Sequence, residues 1–362
     1  MESVHPENST TVRPDPRAMV AEELARARHV PAAAEAGTSD AEATWLARDW
    51  RHRLLRAGMA ALSRLAPGRG VALFERVWFT PPRTRPSLDG ARWLAGGRRL
   101  DVRLHGQPLR AWSWGQGPAV LLVHGWGGNA GQMRVLGQAL LERGLRVVAF
   151  DAPAHGASGP SRLGGGRVSM IEIAEALRVV AAAAGPLAGL VAHSGGCTAT
   201  ALAMREGWAG PGRIAFIAPF SLPSMAIEPF GRAIGASARV TARFRARVER
   251  RFGRPWTDFD IPSLPGLRQL PPLLLVHDRE DREVPWAHGD AVARAWPGAR
   301  LLTVRGLGHR RLLRDGTVLS QVAEFIAGPA AARAIPARAT PAMSRRELDE
   351  AFASCGLEHA WR

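Results

Sequence analysis

The stretch Leu190-Val191-Ala192-His193-Ser194-Gly195-Gly196 decides how this sequence folds. An apolar run typical of a buried strand ends at Ser194, and a segment with helical character starts immediately after it. A sharp strand-to-helix turn lifts a serine hydroxyl out of a sheet, and it needs small residues two positions before and two positions after the serine. Ala192 and Gly196 occupy those positions, although the residue two positions before the serine is usually glycine. The same pattern also fits an ordinary strand–helix loop, so its meaning depends on the surrounding segments.

The composition is that of one large globular domain with additions. The chain has 362 residues, of which 46% are hydrophobic, enough to bury a sizeable core. No apolar run reaches the length of about 18 residues that a membrane span needs, so we expect no integral membrane segment. No apolar stretch follows the first charges, and we expect no secretory signal. The two cysteines, Cys197 and Cys355, favour a reducing compartment, so we expect a cytoplasmic protein.

The net charge of +16 raises the question of a nucleic-acid partner. Every basic residue is arginine, lysine and tyrosine are absent, and alanine, glycine and proline are abundant. These residues share GC-rich codons, whereas lysine and tyrosine use AT-rich codons. We therefore attribute the charge to a GC-rich genome and expect no nucleic-acid partner.

Alternating strand and helix patterns predict an α/β fold, with a mostly parallel central sheet covered by helices on both faces. Between residues 91 and 114 the pattern favours two short strands around residues 105–107. The later strands are predicted at 119–123, 146–150, 188–193, 213–218, 272–277 and 300–304. The helices are predicted at 129–143, 168–184, 195–206, 287–296 and 315–327.

Several segments lie outside this alternation. Residues 1–40 are predicted to be disordered, residues 41–82 to form an N-terminal helical extension, and residues 329–362 to form a tail with a short helix after Ser344. The segment 221–269 is too long for a loop and predicts a helical lid. Val240, Phe244, Val248 and Phe252 recur there at every fourth residue. This stripe predicts an amphipathic helix that either lines the pocket or only covers the sheet edge.

A serine, a carboxylate and a histidine, in that order along the chain, point to nucleophilic catalysis. Ser194 is the candidate nucleophile, and His309, in a glycine-rich loop after a predicted strand, is the candidate base. An acid must orient that base, and three carboxylates compete after the strand at 272–277. We choose Asp281, which precedes a turn into the next helix, over Asp278, which abuts the strand and is expected to satisfy loop amides instead.

Donors for a developing oxyanion are expected at two backbone positions. The N–H of Gly195 lies at the start of a predicted helix, where the helix dipole favours negative charge. The second donor is assigned to Trp126, in the loop His124-Gly125-Trp126-Gly127-Gly128, whose glycines permit close backbone approach. His155 is expected to buttress this loop.

Taken together, these four motifs resemble those of the α/β-hydrolases. Residues 124–128 resemble the oxyanion loop, residues 192–196 the nucleophile elbow, residues 281–285 the acid loop and residues 306–309 the histidine loop. The order Ser, Asp, His is the order of that family. The resemblance covers roughly residues 91–328, which we take as the hydrolase domain, and it implies the α/β-hydrolase fold.

The resemblance also implies a serine hydrolase that cleaves a small-molecule carboxylic ester. A thioesterase, amidase or acyltransferase on the same triad is the alternative, and a non-catalytic binding protein of this fold is a weaker one. No cofactor or metal is expected, since no phosphate-binding lysine motif or dinucleotide-type glycine spacing occurs. Cys197 is interpreted as a core residue.

Overall fold

The computed structural model describes residues 50–265 and 270–331, the latter without the side chains of 329–331. The predictions for residues 1–49, 266–269 and 332–362 lie outside this part of the chain. The helices are α1 (Trp50–Leu65), α2 (Pro67–Phe79), α3 (Leu88–Ala95), α4 (Arg134–Leu141), α5 (Met170–Ala184), α6 (Gly195–Arg205), α7 (Pro223–Ala233), α8 (Ala238–Phe252), α9 (Ala287–Ala295), α10 (Gly308–Arg311) and α11 (Gly316–Ala331). The strands are β1 (Arg98–Leu104), β2 (Gln107–Trp114), β3 (Ala119–Val123), β4 (Arg146–Phe150), β5 (Leu187–His193), β6 (Ile214–Ile217), β7 (Leu273–Asp278) and β8 (Arg300–Val304).

The strands form one eight-stranded sheet in the order β1-β2-β4-β3-β5-β6-β7-β8. β1 pairs with β2, and β2 with β4, in antiparallel fashion, whereas all other pairs are parallel. Strands β3, β6 and β7 are buried along their whole length. Helices therefore cover both faces of the sheet, as continuous apolar strands require. The carboxyl ends of β3, β5 and β7 lie at one edge, where parallel sheets place their functional residues.

The predicted α/β architecture is confirmed, and the predicted strands at 119–123, 146–150 and 300–304 match the structure residue for residue. The two short strands predicted between residues 91 and 114 are confirmed as β1 and β2, whereas the preceding helix α3 was not predicted. Ser87 caps that helix by accepting a hydrogen bond from Gly90 N at 3.2 Å. Its first turn also carries Asp89, which favours a helix N-terminus.

The N-terminal helices pack on the insertion between β6 and β7. Phe244 of α8 stacks on Phe74 of α2 with ring centroids 4.1 Å apart, and Trp78 and Trp256 complete an aromatic cluster around it. The stripe predicted for α8 is therefore helical, and its centre packs against α2, with Val240, Phe244 and Val248 buried and Phe252 half-buried. Phe244 is fully buried in this contact, which favours structural cover over the lining of an open pocket.

Polar contacts reinforce this helical layer. The buried carboxylate of Glu75 forms ion pairs with Arg251 and Arg247 of α8. Arg247 Nε lies 2.8 Å from Glu75 Oε2 without hydrogen-bond alignment. Arg56 of α1 donates to the carbonyl oxygens of Arg232 and Ala233 where α7 ends. Within residues 50–265 and 270–331, no helix is long and apolar enough to cross a membrane.

Candidate active site

Ser194 lies on the predicted sharp turn between β5 and α6. Its backbone adopts φ 51° and ψ −122°, a conformation that costs a residue other than glycine energy and persists only where the surroundings impose it. A side-chain carbon at Gly196 would lie 2.6 Å from the carbonyl oxygen of His124. Gly196 therefore has to be glycine, while Ala192 is fully buried in β5. The turn points Ser194 away from the strand at the carboxyl edge of the sheet.

The two backbone amides assigned to the oxyanion are neighbours. A side-chain carbon placed on Gly195 would lie 3.4 Å from the backbone nitrogen of Trp126. Gly195 is also the first residue of α6, so the positive end of the helix dipole adds to its N–H group. A side-chain carbon at Gly125 would lie 2.9 Å from Ser194 Cβ. The oxyanion loop and the serine turn are therefore in contact, and glycine is required where they meet.

His309 and Asp281 meet across the loops that follow β8 and β7. His309 Nδ1–H donates to Asp281 Oδ2 at 2.7 Å, and both side chains are buried. Asp281 Oδ1 accepts hydrogen bonds from the backbone N–H groups of Glu283 and Val284, each at 2.9 Å. The two carboxylate oxygens therefore have separate partners, and only Oδ2 faces the histidine. With Nδ1 carrying the proton, His309 Nε2 keeps a free lone pair.

A second histidine, His277 at the end of β7, also contacts Asp281. Its Nε2 lies 3.0 Å from the carbonyl oxygen of Val284 and 3.4 Å from Asp281 Oδ2. Because both neighbours are acceptors, Nε2 carries the proton. Burial alone would raise the pKa of Asp281, but the hydrogen bonds from His277 and His309 outweigh burial and hold that pKa well below its usual range. Asp281 is therefore a carboxylate throughout the physiological pH range.

Asp278 has a different role from Asp281. It is fully buried, and its Oδ2 accepts hydrogen bonds from the backbone N–H groups of Leu307 and Gly308, the second at 2.9 Å. Its Oδ1 accepts from Glu280 N at 2.6 Å. Asp278 thus satisfies loop amides, as the sequence predicts, and it fixes the loop that leads into His309.

The residue before the serine contacts His309 as well. His193 Nε2–H donates to the carbonyl oxygen of His309 at 3.0 Å, and the two rings lie 4.7 Å apart. His193 is thus buttressed between the serine turn and the histidine loop. The sequence assigned His193 no role, because the position directly before the serine accepts many residue types in such a turn.

Histidines also support the oxyanion loop. His155 Nε2 accepts a hydrogen bond from Gly127 N at 3.0 Å, and His124 Nε2 accepts one from Ala152 N at the same distance. Burial lowers the pKa of His155 to about 3 and that of His124 to about 4, so both rings are neutral acceptors. His155 therefore contacts the oxyanion loop as predicted.

Burial gives two further histidines a lowered pKa, in each case to about 3. These are His193 and His288, the second of which accepts a hydrogen bond from Ser221 N at 3.1 Å. His124, His155, His193 and His288 are hereafter called the low-pKa histidines.

Residues 80–87, here called the strap, connect α2 to α3 and cross the oxyanion loop. Thr84 Oγ1–H donates to the carbonyl oxygen of Gly127 at 2.5 Å, and Asn129 Nδ2 donates to Thr84 Oγ1 at 3.2 Å. A side-chain carbon at Gly127 would lie 2.6 Å from Pro82 Cγ. The sequence did not reveal this contact, because strap and loop are about 40 positions apart.

Two other kinds of chemistry would need a reactive cysteine or a metal site. Cys197 is fully buried, and burial raises the pKa of its thiol well above the usual value. It therefore belongs to the core and is a poor nucleophile. In residues 50–265 and 270–331, no group of three or more His, Cys, Asp or Glu side chains could hold a metal ion.

Comparison with solved structures finds hydrolases of low sequence identity. The chain is 18% identical to Est816, an N-acyl homoserine lactone degrading enzyme, over 61% of this chain and 97% of that one, with a TM-score of 0.46. It is 17% identical to Est1E from Butyrivibrio proteoclasticus, solved with ferulic acid, over 62% and 95% of the chains, with a TM-score of 0.46. It is 17% identical to the thioesterase domain from the curacin biosynthetic pathway, over 64% and 99%, with a TM-score of 0.48.

No curated protein matches the chain significantly. A family model does match, over residues 120–322, which is more than half of the sequence and runs from β3 into α11. This range includes the serine turn, the acid loop and the histidine loop. The chain belongs to the alpha/beta hydrolase family.

Proposed function

We propose that this protein is a serine hydrolase that cleaves a carboxylic ester through an acyl-enzyme intermediate. The observation that carries the proposal is the 2.7 Å hydrogen bond from His309 Nδ1 to Asp281 Oδ2, at the same sheet edge as the turn that carries Ser194. This bond fixes the imidazole tautomer whose Nε2 can accept a proton. A nucleophile, a base and an orienting acid are the parts that acyl transfer requires.

The proposed reaction begins when His309 Nε2 accepts the proton of Ser194 Oγ as that oxygen attacks the ester carbonyl. The backbone N–H groups of Gly195 and Trp126 stabilise the negative charge that develops on the carbonyl oxygen. His309 then returns the proton to the departing alcohol, which leaves an acyl group on Ser194. A water molecule that His309 deprotonates then attacks this acyl group, and His309 returns the proton to Ser194 Oγ as the acid is released. Asp281 stays ionised and stabilises the imidazolium in both halves.

A cytoplasmic location and a lid function for the insertion are part of the same proposal. The free, buried thiol of Cys197 supports a reducing environment.

The insertion proposed as a lid begins directly after β6. The backbone carbonyl oxygen of Ser221, in its first turn, accepts a hydrogen bond from Ile261 N at 2.8 Å. This contact ties the two ends of the insertion together near the edge of the sheet that carries Ser194.

The test is covalent labelling with a fluorophosphonate, which reacts with activated serines, followed by peptide mapping. We expect the label on Ser194 and its loss in Ser194→Ala, with Ser320→Ala, at an exposed serine of α11, as the matched control. Ser194→Ala should also lower the turnover of a p-nitrophenyl ester by about 10⁴-fold or more. Label on another residue, or near-normal turnover in Ser194→Ala, would contradict the proposal. A panel of esters, thioesters and amides then defines the bond that is cleaved.

A further inference from the structure

Helix α1 is apolar on two opposite sides. Its inner side buries Met59 completely and packs Leu55 against the core. Its outer side carries Trp50, Leu54 and Leu65, whose exposed fractions are 59%, 62% and 86%. Ala57 and Ala61 lie between them and are also exposed. Steps of four, three, four and four residues place these five side chains along one line of an α-helix. They are called the outer face below.

Arginines flank the outer face on both sides. At about 100° per residue, Arg51 lies beside one border of this face, and Arg53 and Arg64 lie beside the other. The guanidinium of Arg51 lies over the ring of Trp50, 5.5 Å from its centroid. Residues 50–65 contain no Asp or Glu. The helix therefore presents an apolar line about 22 Å long, with Arg51 at one border and Arg53 and Arg64 at the other.

We propose that α1 docks this protein on an anionic lipid surface, with the outer face at the boundary between headgroups and acyl chains. Helices that lie in a membrane interface combine Trp and Leu on one side with Arg or Lys at its borders. Each basic residue near an anionic leaflet strengthens the attraction to it, and the indole ring is favoured at the interface itself. The overall charge of +16 acts in the same direction.

The charge pattern distinguishes this partner from the others. A second copy packed through the same face would bring the arginines of two identical helices together, which is unfavourable. A nucleic acid would satisfy the arginines but leave Trp50, Leu54 and Leu65 in water. An anionic lipid surface satisfies both parts of the pattern.

The test is co-sedimentation of the full-length protein with vesicles. Vesicles of phosphatidylcholine alone are compared with vesicles that also contain phosphatidylglycerol, at low and high salt. We expect binding to the anionic vesicles and weaker binding at high salt. The double variant Trp50→Ser/Leu54→Ser should lower the partition coefficient by about 10-fold or more. Arg53→Gln/Arg64→Gln should lower it by a similar factor on anionic vesicles. Leu88→Ser removes an equally exposed leucine, 80% accessible, from α3 and should have no effect.

Three results would overturn the docking proposal. They are the absence of binding to anionic vesicles, equal binding to both vesicle types, and unchanged binding of Trp50→Ser/Leu54→Ser. A dimer that the same substitutions dissociate in sedimentation velocity would assign the outer face to a second copy instead. Since these side chains are exposed, circular dichroism should show each variant folded. Hydrolysis of a soluble ester should be unchanged in them, so this test and the test of the proposed function fail separately.

Discussion

Asp281→Asn is the substitution that most sharply tests the proposed chemistry. Its Oδ1 accepts two backbone N–H groups, so the carbonyl oxygen of the new amide is held at that position. The amide NH₂ then replaces Oδ2 and points at His309 Nδ1, 2.7 Å away in the native protein. A donor at this point favours the imidazole tautomer that carries its proton on Nε2. That tautomer cannot accept a proton from Ser194.

The expected loss in kcat is about 10⁴-fold, or about 5 kcal/mol of transition-state stabilisation. An amide flip would restore the tautomer, but it would aim the NH₂ group at the N–H groups of Glu283 and Val284 and leave buried donors unpaired. The assay is steady-state hydrolysis of a p-nitrophenyl ester, with KM measured to separate binding from chemistry.

Asp278→Asn is the matched control, since Asp278 lies three residues before Asp281, at the end of β7, and is also buried. Its amide oxygen should keep the two hydrogen bonds from Leu307 and Gly308 and lose the one from Glu280 N, which destabilises the protein by about 1–3 kcal/mol. Its kcat should fall by no more than about 100-fold, because Asp278 does not touch His309. Equal losses in the two variants, or a larger loss in Asp278→Asn, would refute the assignment of Asp281.

The remaining predictions concern stability and positioning. The low-pKa histidines have folded pKa values of about 3 to 4, below the ordinary 6.5, so the unfolded state binds more protons than the folded state in acid. The free energy of unfolding should therefore be fully present above about pH 6.5. Unfolding titrations should show it falling by up to about 1.4 kcal/mol per pH unit for each histidine between about pH 6.5 and 4. Thr84→Val should lower kcat for ester hydrolysis by about 5- to 10-fold with KM unchanged, whereas Thr84→Ser restores it; a change in KM alone would contradict a positioning role. Phe244→Ala should destabilise the protein by about 3–5 kcal/mol without changing relative kcat/KM across an ester chain-length panel, and a reordered panel would place Phe244 at the pocket.

The sheet and the order of the candidate site residues could be predicted because their signals are local. Continuous apolar runs such as β3 are buried on both faces whatever their neighbours, and the serine turn is limited by sterics within five residues. The choice of Asp281 over Asp278 also had a local basis, since a carboxylate directly at a strand end meets nearby amides. The 2.7 Å hydrogen bond to His309 agrees with that choice.

Contacts between distant segments could not be predicted in the same way. The stripe on α8 predicted a helix, but no sequence feature indicated that Phe74 of α2 would be its partner. The sequence shows His277 only as a histidine at the end of a strand. Its contact with Asp281 Oδ2, 3.4 Å from Nε2, depends on how the loop after β7 folds back. Periodicity shows which side of a helix is apolar, and only the fold shows what covers it.

The N-terminal helices therefore belong to the folded hydrolase rather than being an appendage to it. The family model begins at residue 120, yet the strap holds the carbonyl of Gly127 through Thr84 and packs Pro82 against it. Removing the segment before residue 88 would also expose the aromatic side of α8 and leave Arg247 without the carboxylate of Glu75. The segment shared with the family supplies the candidate catalytic groups, and the segment outside it fixes the loop that would hold the oxyanion. The outer face of α1 belongs to this same N-terminal segment. A lipid surface bound to that face would therefore be connected to the candidate active site through α1, α2 and the strap.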